Sequence, residues 1–119
     1  MSSLTEQTCK PCEGGVKPLN SHDAHTMLEK LSGWTLSDNN KTIRQDFRFK
    51  NYYQTMAFVN AVAWVAHQED HHPDMEVGYN HCLIQYTTHA ISGLSQNDFI
   101  CAAKIDMLLS ANNGAHGQT

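Results

Sequence analysis

The fold of this 119-residue chain is decided by the alternating stretch TIRQDFRF at residues 42–49. Ile43, Phe47 and Phe49 share one side of an extended chain, and hydroxyl or charged side chains take the other side. This period of two predicts a half-buried antiparallel strand. Residues 34–37 predict a short partner strand, because an Asp-Asn-Asn turn separates the two stretches.

A second stretch, MEVGYNHCLIQY at residues 75–86, also alternates between apolar and polar side chains. The alternation is interrupted at residues 78–81, where Gly78 and Asn80 are residues that turns favour. The stretch therefore predicts a second hairpin.

Between the hairpins the apolar period becomes helical, from Tyr53 to about Asp70. Pro73 disfavours a helical backbone at the residue before it, so the helix is predicted to end before His72. The predicted core stripe of this helix comprises Met56, Val59, Ala63 and Ala66.

Two further helices flank the hairpins. Asn20 can cap a helix through Leu31. Ser95 followed by Asp98 is a capping box that opens a last helix to about Ser110. The order helix, strand, strand, helix, strand, strand, helix predicts an α+β domain, in which three helices cover one face of a four-stranded antiparallel sheet.

The predicted boundaries are an irregular leader over residues 1–18, a single domain over residues 19–112 and a flexible tail over residues 113–119. A chain of this length, 40% hydrophobic, is expected to form one core. Twelve acidic residues against eight Lys and Arg give a formal charge of −4, which argues against a nucleic-acid or anionic-membrane surface. No apolar run reaches the roughly 18 residues that span a bilayer, and the polar start predicts a cytoplasmic protein.

Histidine is unusually frequent, with eight residues against eight Lys and Arg together. His67 and His71 are four residues apart and face the same side of the second helix. His72 follows where the chain leaves that helix, and His89 lies at the end of the last strand. If the second hairpin returns alongside the helix, His71, His72 and His89 converge on one pocket, and Asp98 lies in the first turn of the last helix. Such a cluster indicates either proton transfer or a metal site.

A metal site would use His67 and His71 with His89 as a third ligand. The H-E-x-x-H motif is absent, because Gln68 follows His67. Asp98 is also explained without a catalytic role, as the capping partner of Ser95.

The cysteines carry a weaker signal. Cys9-Lys10-Pro11-Cys12 is a C-x-x-C motif with no second copy, and Cys82 and Cys101 stand alone in a predicted strand and helix. In a reducing cytoplasm all four thiols are expected to be free.

Several of these strings occur together in one known family. The sequence HQEDHHPD at residues 67–74, TTH at residues 87–89 and GLSQND at residues 93–98 resemble the pterin-4a-carbinolamine dehydratases, in their bacterial form. The resemblance extends to the leader motif C-x-P-C-x-G-G and to the pair Gly33-Trp34, so it covers nearly the whole chain.

This resemblance implies a cytosolic carbon–oxygen lyase that removes water from 4a-hydroxytetrahydropterin and gives quinonoid dihydropterin. The reaction belongs to tetrahydrobiopterin recycling and links the enzyme to an aromatic amino acid hydroxylase such as a phenylalanine hydroxylase. The resemblance implies a homodimer or homotetramer, and the chemistry requires no metal or other cofactor. The catalytic residues carried over are His71, His72 and His89, and the supporting or substrate-binding residues are His67, Asp70, Pro73 and Asp98.

One position departs from the family pattern. Many relatives have Glu four residues before the first histidine of the pair, where this chain has His67. A carboxylate that orients His71 is then missing unless Glu69, Asp70 or Asp98 supplies it. A non-catalytic dimeric scaffold that binds pterin or protein, and a metal-dependent hydrolase, are the two rival interpretations.

Overall fold

A computed structural model describes residues 3–11 and 17–116, with side chains described as far as residue 109. Its helices are α1 (Ser21–Leu28), α2 (Tyr52–Glu69) and α3 (Gln96–His116). Its strands are β1 (Thr35–Leu36), β2 (Ile43–Arg48), β3 (Asp74–Val77) and β4 (His81–Tyr86). Single 3-10 turns form at Leu4–Glu6 and His89–Ile91.

The four strands form one antiparallel sheet in the order β1-β2-β4-β3. Central strands β2 and β4 pair over their whole length, with Ile43 opposite Tyr86 and Phe47 opposite Cys82. Because opposite residues point to the same face of a sheet, these apolar pairs reinforce one another. The predicted alternation is therefore confirmed, since Ile43 and Phe47 are buried and Arg44 and Asp46 between them are exposed.

The helices cover the buried face of the sheet. Ala24 of α1, Phe58 of α2 and Phe99 of α3 belong to the same core cluster as Ile84 and Tyr86 of β4. The predicted α+β class, with three helices on one face of the sheet, is confirmed.

The predicted core stripe of α2 was partly wrong, although Val59 of that stripe packs half-buried against the core. The buried residues of α2 are Thr55, Phe58, Val62 and Ala66. Of the predicted stripe only Ala66 is buried, and Ala63 is exposed. The helix offers two neighbouring apolar faces, and the face with Phe58 and Val62 buries more area than the face with Ala63.

Element ends also differ from the prediction. Helix α1 ends at Leu28 instead of Leu31, and β1 has two residues instead of four. Helix α2 ends at Glu69, where Asp70 adopts a left-handed backbone with φ of 51°. Helix α3 continues to His116, past the predicted end near Ser110. Local sequence signals predict the presence of a helix more reliably than they predict its last residue.

The predicted leader contributes to the core. Leu4 is buried in the core beneath its 3-10 turn, which contacts α3. Cys12 and residues 13–16 lie outside the described residues. Over the part of the chain that the structure describes, no helix is both long and apolar enough to cross a membrane.

Candidate active site

A cavity of about 600 Å³ opens where the end of α2, the end of β4 and the start of α3 meet. Its walls come from four parts of the chain: the leader, the end of α2 with the turn after it, the segment after β4, and the start of α3. The lining residues are Cys9, Lys10, Pro11, Gln68, Glu69, Asp70, His71, His72, Thr87, Thr88, His89, Ala90 and Asn97. The predicted convergence of His71, His72 and His89 on one pocket is what the structure shows.

His71 is the best-fixed histidine of the cavity. Its Nε2 lies 2.6 Å from Oδ1 of Asp98, and its side chain is only 13% exposed. Its ring stacks on Tyr86 at 5.5 Å with an interplanar angle of 8°. With the carboxylate as acceptor, Nε2 donates the hydrogen bond, and Nδ1 is the ring nitrogen left for a ligand.

Two opposing effects set the pKa of His71. Burial lowers the pKa, but the hydrogen bond to Asp98 and the charge of that carboxylate outweigh burial, so the pKa lies above the usual 6.5. At any given pH near neutrality a larger fraction of His71 is therefore protonated than of an unperturbed histidine.

Asp98 is fully buried and uses both oxygens. Its Oδ2 accepts hydrogen bonds from Oγ1 of Thr88 at 2.8 Å and from the backbone N–H of Ser95 at 3.0 Å. Ser95 Oγ in turn accepts from the backbone N–H of Asn97 at 3.2 Å. Asp98 is thus both the capping-box partner of Ser95 and the partner of His71, because one oxygen serves each role. This carboxylate supplies the orientation that His67 cannot provide.

His72 and His89 are exposed residues on the cavity walls. His72 precedes Pro73 in the turn between α2 and β3, and His89 begins the 3-10 turn after β4. Both side chains are therefore open to a ligand in the cavity, while His71 is held in one orientation.

The other predicted supporting residues separate into two groups. Asp70 lines the cavity, at the left-handed end of α2. His67 and Pro73 do not line it, and His67 is exposed with its ring 6.0 Å from that of Trp64. Because His67 lies outside the cavity, the three ligands of the metal hypothesis are not brought together. Among the described residues, no group of three His, Cys, Asp or Glu side chains is placed to hold a metal ion.

Sequence reasoning missed the wall that the leader provides. The backbone N–H of Cys9 donates to Oε1 of Glu69 at 2.8 Å, and Oε2 of Glu69 pairs with Nζ of Lys104 at 2.8 Å. Lys10 and Asn97 exchange two hydrogen bonds, of 3.0 Å and 2.6 Å. The C-x-P-C motif was the only local signal of this wall, since its hydrogen-bond partners are more than fifty positions away.

Several known proteins are similar to this chain. Residues 17–108 match the family model described as pterin 4 alpha carbinolamine dehydratase. A Nitrosomonas eutropha protein provisionally named pterin-4-alpha-carbinolamine dehydratase is 68% identical over 107 residues, covering 89% of this chain and 93% of the relative. A Legionella pneumophila protein with the same provisional name is 52% identical over 109 residues, covering 91% of this chain and 96% of the relative.

A solved structure shows the same fold. The crystal structure described as a transcriptional coactivator/pterin dehydratase from Brucella melitensis superposes with a TM-score of 0.74 at 27% identity. The match covers 77% of this chain and 98% of that chain. Together, the histidine-lined cavity and these matches define a dehydratase enzyme. The chain belongs to the pterin-4-alpha-carbinolamine dehydratase family.

Proposed function

We propose that this enzyme removes water from 4a-hydroxytetrahydropterin and releases quinonoid dihydropterin. The observation that carries the proposal is the His71–Asp98 pair in a cavity that also holds His72 and His89. A cavity of about 600 Å³ is within the range of small-molecule sites and has room for a bicyclic pterin.

The elimination requires two proton transfers. The C4a–O bond breaks as its hydroxyl receives a proton and leaves as water. The N5–H bond loses its proton, and the electron pair of that bond forms the C4a=N5 double bond. Positioned acid and base groups are worth roughly 10²–10⁴-fold in such a step. The proposed mechanism uses neither a metal nor a redox cofactor.

The structure supports a division of roles among the three histidines. His71 acts as the acid, because Asp98 raises its pKa and leaves Nδ1–H of the imidazolium free to donate. His89, exposed on the opposite segment after β4, acts as the base at N5. His72 holds the pterin edge from the turn before β3.

The proposal extends to the cellular setting. The product is a substrate for reduction back to the tetrahydropterin, so the enzyme serves tetrahydrobiopterin recycling beside an aromatic amino acid hydroxylase in the cytoplasm. A homodimer or homotetramer is the proposed assembly, as in the family that the sequence resembles.

The test is stopped-flow ultraviolet absorbance on freshly generated 4a-hydroxytetrahydropterin, with and without a chelator. We expect acceleration over spontaneous dehydration that is insensitive to the chelator and falls at least tenfold in His71→Ala and in His89→Ala. A rate equal to that without protein contradicts the proposed substrate. Full activity in either variant removes that histidine from the mechanism.

A second candidate is a non-catalytic scaffold that binds pterin or protein. The description of the Brucella melitensis structure as a transcriptional coactivator favours including it. The scaffold predicts pterin binding without turnover, and binding that is unchanged in His89→Ala. Turnover that depends on His71 and His89 contradicts it.

A further inference from the structure

Two cysteine sulfurs meet beside the cavity, outside the machinery of the proposed reaction. Sγ of Cys9 in the leader lies 3.5 Å from Sγ of Cys101 in α3, although 92 positions separate them. Cys101 is fully buried, whereas Cys9 is half-buried and lines the cavity. Both are free thiols.

The contact is held from several sides and is not a chance approach of a loose segment. The backbone of Cys9 is bonded to Glu69, and the next residue exchanges two hydrogen bonds with Asn97. Sγ of Cys9 also lies 3.6 Å from the carbonyl oxygen of Asn97, one turn before Cys101 on α3. The hydrogen bond between the thiols raises the pKa of Cys9 and lowers the pKa of Cys101.

We propose that Cys9 and Cys101 are an oxidation site at which a small hydroperoxide forms a disulfide between the leader and α3. The cavity gives hydrogen peroxide access to Cys9, whereas a bulky protein disulfide cannot reach buried Cys101. The proposal does not depend on the substrate of the enzyme.

The reaction balances in two steps. Cys9 loses its thiol proton to water, its sulfur attacks a peroxide oxygen and the O–O bond breaks. A sulfenic acid forms, and the leaving oxygen takes up a proton and departs as water. The Cys101 sulfur then attacks the Cys9 sulfur, the S–O bond breaks, and a second water leaves. Two thiols lose two electrons and two protons, and one peroxide is reduced to two waters.

Forming the disulfide requires a small movement of the two sulfurs. A disulfide bond is about 2.05 Å long, so the sulfurs must approach by roughly 1.5 Å from their present separation. Cys9 lies in an irregular segment and can supply that shift, while α3 holds Cys101 fixed. The link would fasten the leader wall of the cavity to α3.

The matched controls are the other two cysteines. Cys82 is buried in β4, and Cys12, the second cysteine of the C-x-x-C motif, offers the rival link to Cys9. Trypsin does not separate Cys9 from Cys12, because Lys10 is followed by proline. The double variant Cys12→Ser/Cys82→Ser removes both alternative disulfide partners, since it leaves only Cys9 and Cys101.

The experiment treats full-length wild type and the double variant with hydrogen peroxide, then measures intact mass and maps peptides without reduction. We expect the double variant to lose two hydrogens per chain and to give one linked peptide pair. Dithiothreitol should reverse the change, and adding Cys9→Ser should abolish it. Because the link closes a long loop, the melting temperature should rise by roughly 5 °C or more.

Three results overturn the proposal. One is a Cys9–Cys12 link as the product in wild type. Another is oxygen uptake by the double variant in place of hydrogen loss. The third is a disulfide between two chains. Each result is read from mass alone, so it is independent of dehydratase activity.

Discussion

Replacing Asp98 by Asn tests the central contact of the site with the least change in shape. Asn keeps one oxygen, which can still accept from Thr88 and from the N–H of Ser95, so the cap of α3 is preserved. Its NH₂ group then faces Nε2 of His71, where it can only donate. The variant therefore favours neutral His71 with an unprotonated Nε2, the opposite of the arrangement in wild type.

The expected fall in kcat follows from the loss of the hydrogen bond between His71 and Asp98. A hydrogen bond to a charged group contributes about 1.5–3 kcal/mol, and each 1.36 kcal/mol of transition-state free energy is about tenfold in rate. If the whole contribution acts in the transition state, kcat falls by roughly 10- to 150-fold. The pKa of His71 should also fall, because the opposing effect of burial remains when the charge is gone.

The assay measures kcat for dehydration as a function of pH. In the same variant, NMR measures the pKa of the His71 imidazole. The chain supplies a matched control in Asp46, whose Oδ1 lies 3.0 Å from Nδ1 of His81 on a more exposed part of the sheet. Asp46→Asn should leave kcat unchanged within about twofold. Wild-type kcat in Asp98→Asn, with a folded protein and an unchanged pKa of His71, would refute the role assigned to the pair.

Three further predictions concern stability. Thr88→Val removes a donor to a buried carboxylate and should lower the free energy of unfolding, measured in urea, by about 1.5–3 kcal/mol. Thr88→Ser keeps the donor and should lower it by about 1 kcal/mol. Equal losses in the two variants would exclude the hydroxyl as the cause. Gly33→Ala should cost about 1–3 kcal/mol by thermal melting, because φ is +87° and the added Cβ meets the amide of Gln45; an unchanged melting temperature would contradict this. Because folding raises the pKa of His71, its contribution is fully present below pH 6.5 and is lost as pH rises through the folded-state pKa. Wild type should therefore lose more stability than Asp98→Asn as pH is raised above 6.5, and parallel profiles would disprove this linkage.

Much of the fold could be predicted from the sequence because its strongest signals are local. The alternation at residues 42–49 sets both the strand and its buried face, and the same holds for Cys82 to Tyr86. Asn20 caps α1 through a hydrogen bond to the backbone N–H of Asp23, as its position predicted. The prediction of buried residues failed in α2, because two faces of that helix are nearly equally apolar. Only packing against the sheet selected the face of Phe58 over that of Ala63.

The candidate site also has features that the sequence predicts and features that only the tertiary structure shows. The histidine residues and their convergence at the end of α2 could be inferred from the sequence, because the helix end, the proline and the strand end are each encoded within a few residues. Only the tertiary structure decided that Asp98 bonds to His71, that His67 lies outside the cavity, and that the leader forms one wall with Cys9 against Cys101. These contacts join residues 27 to 92 positions apart. Their hydrogen bonds depend on distances of a few tenths of an ångström, which spacing along a chain does not specify and which the packing of α3 on the sheet does.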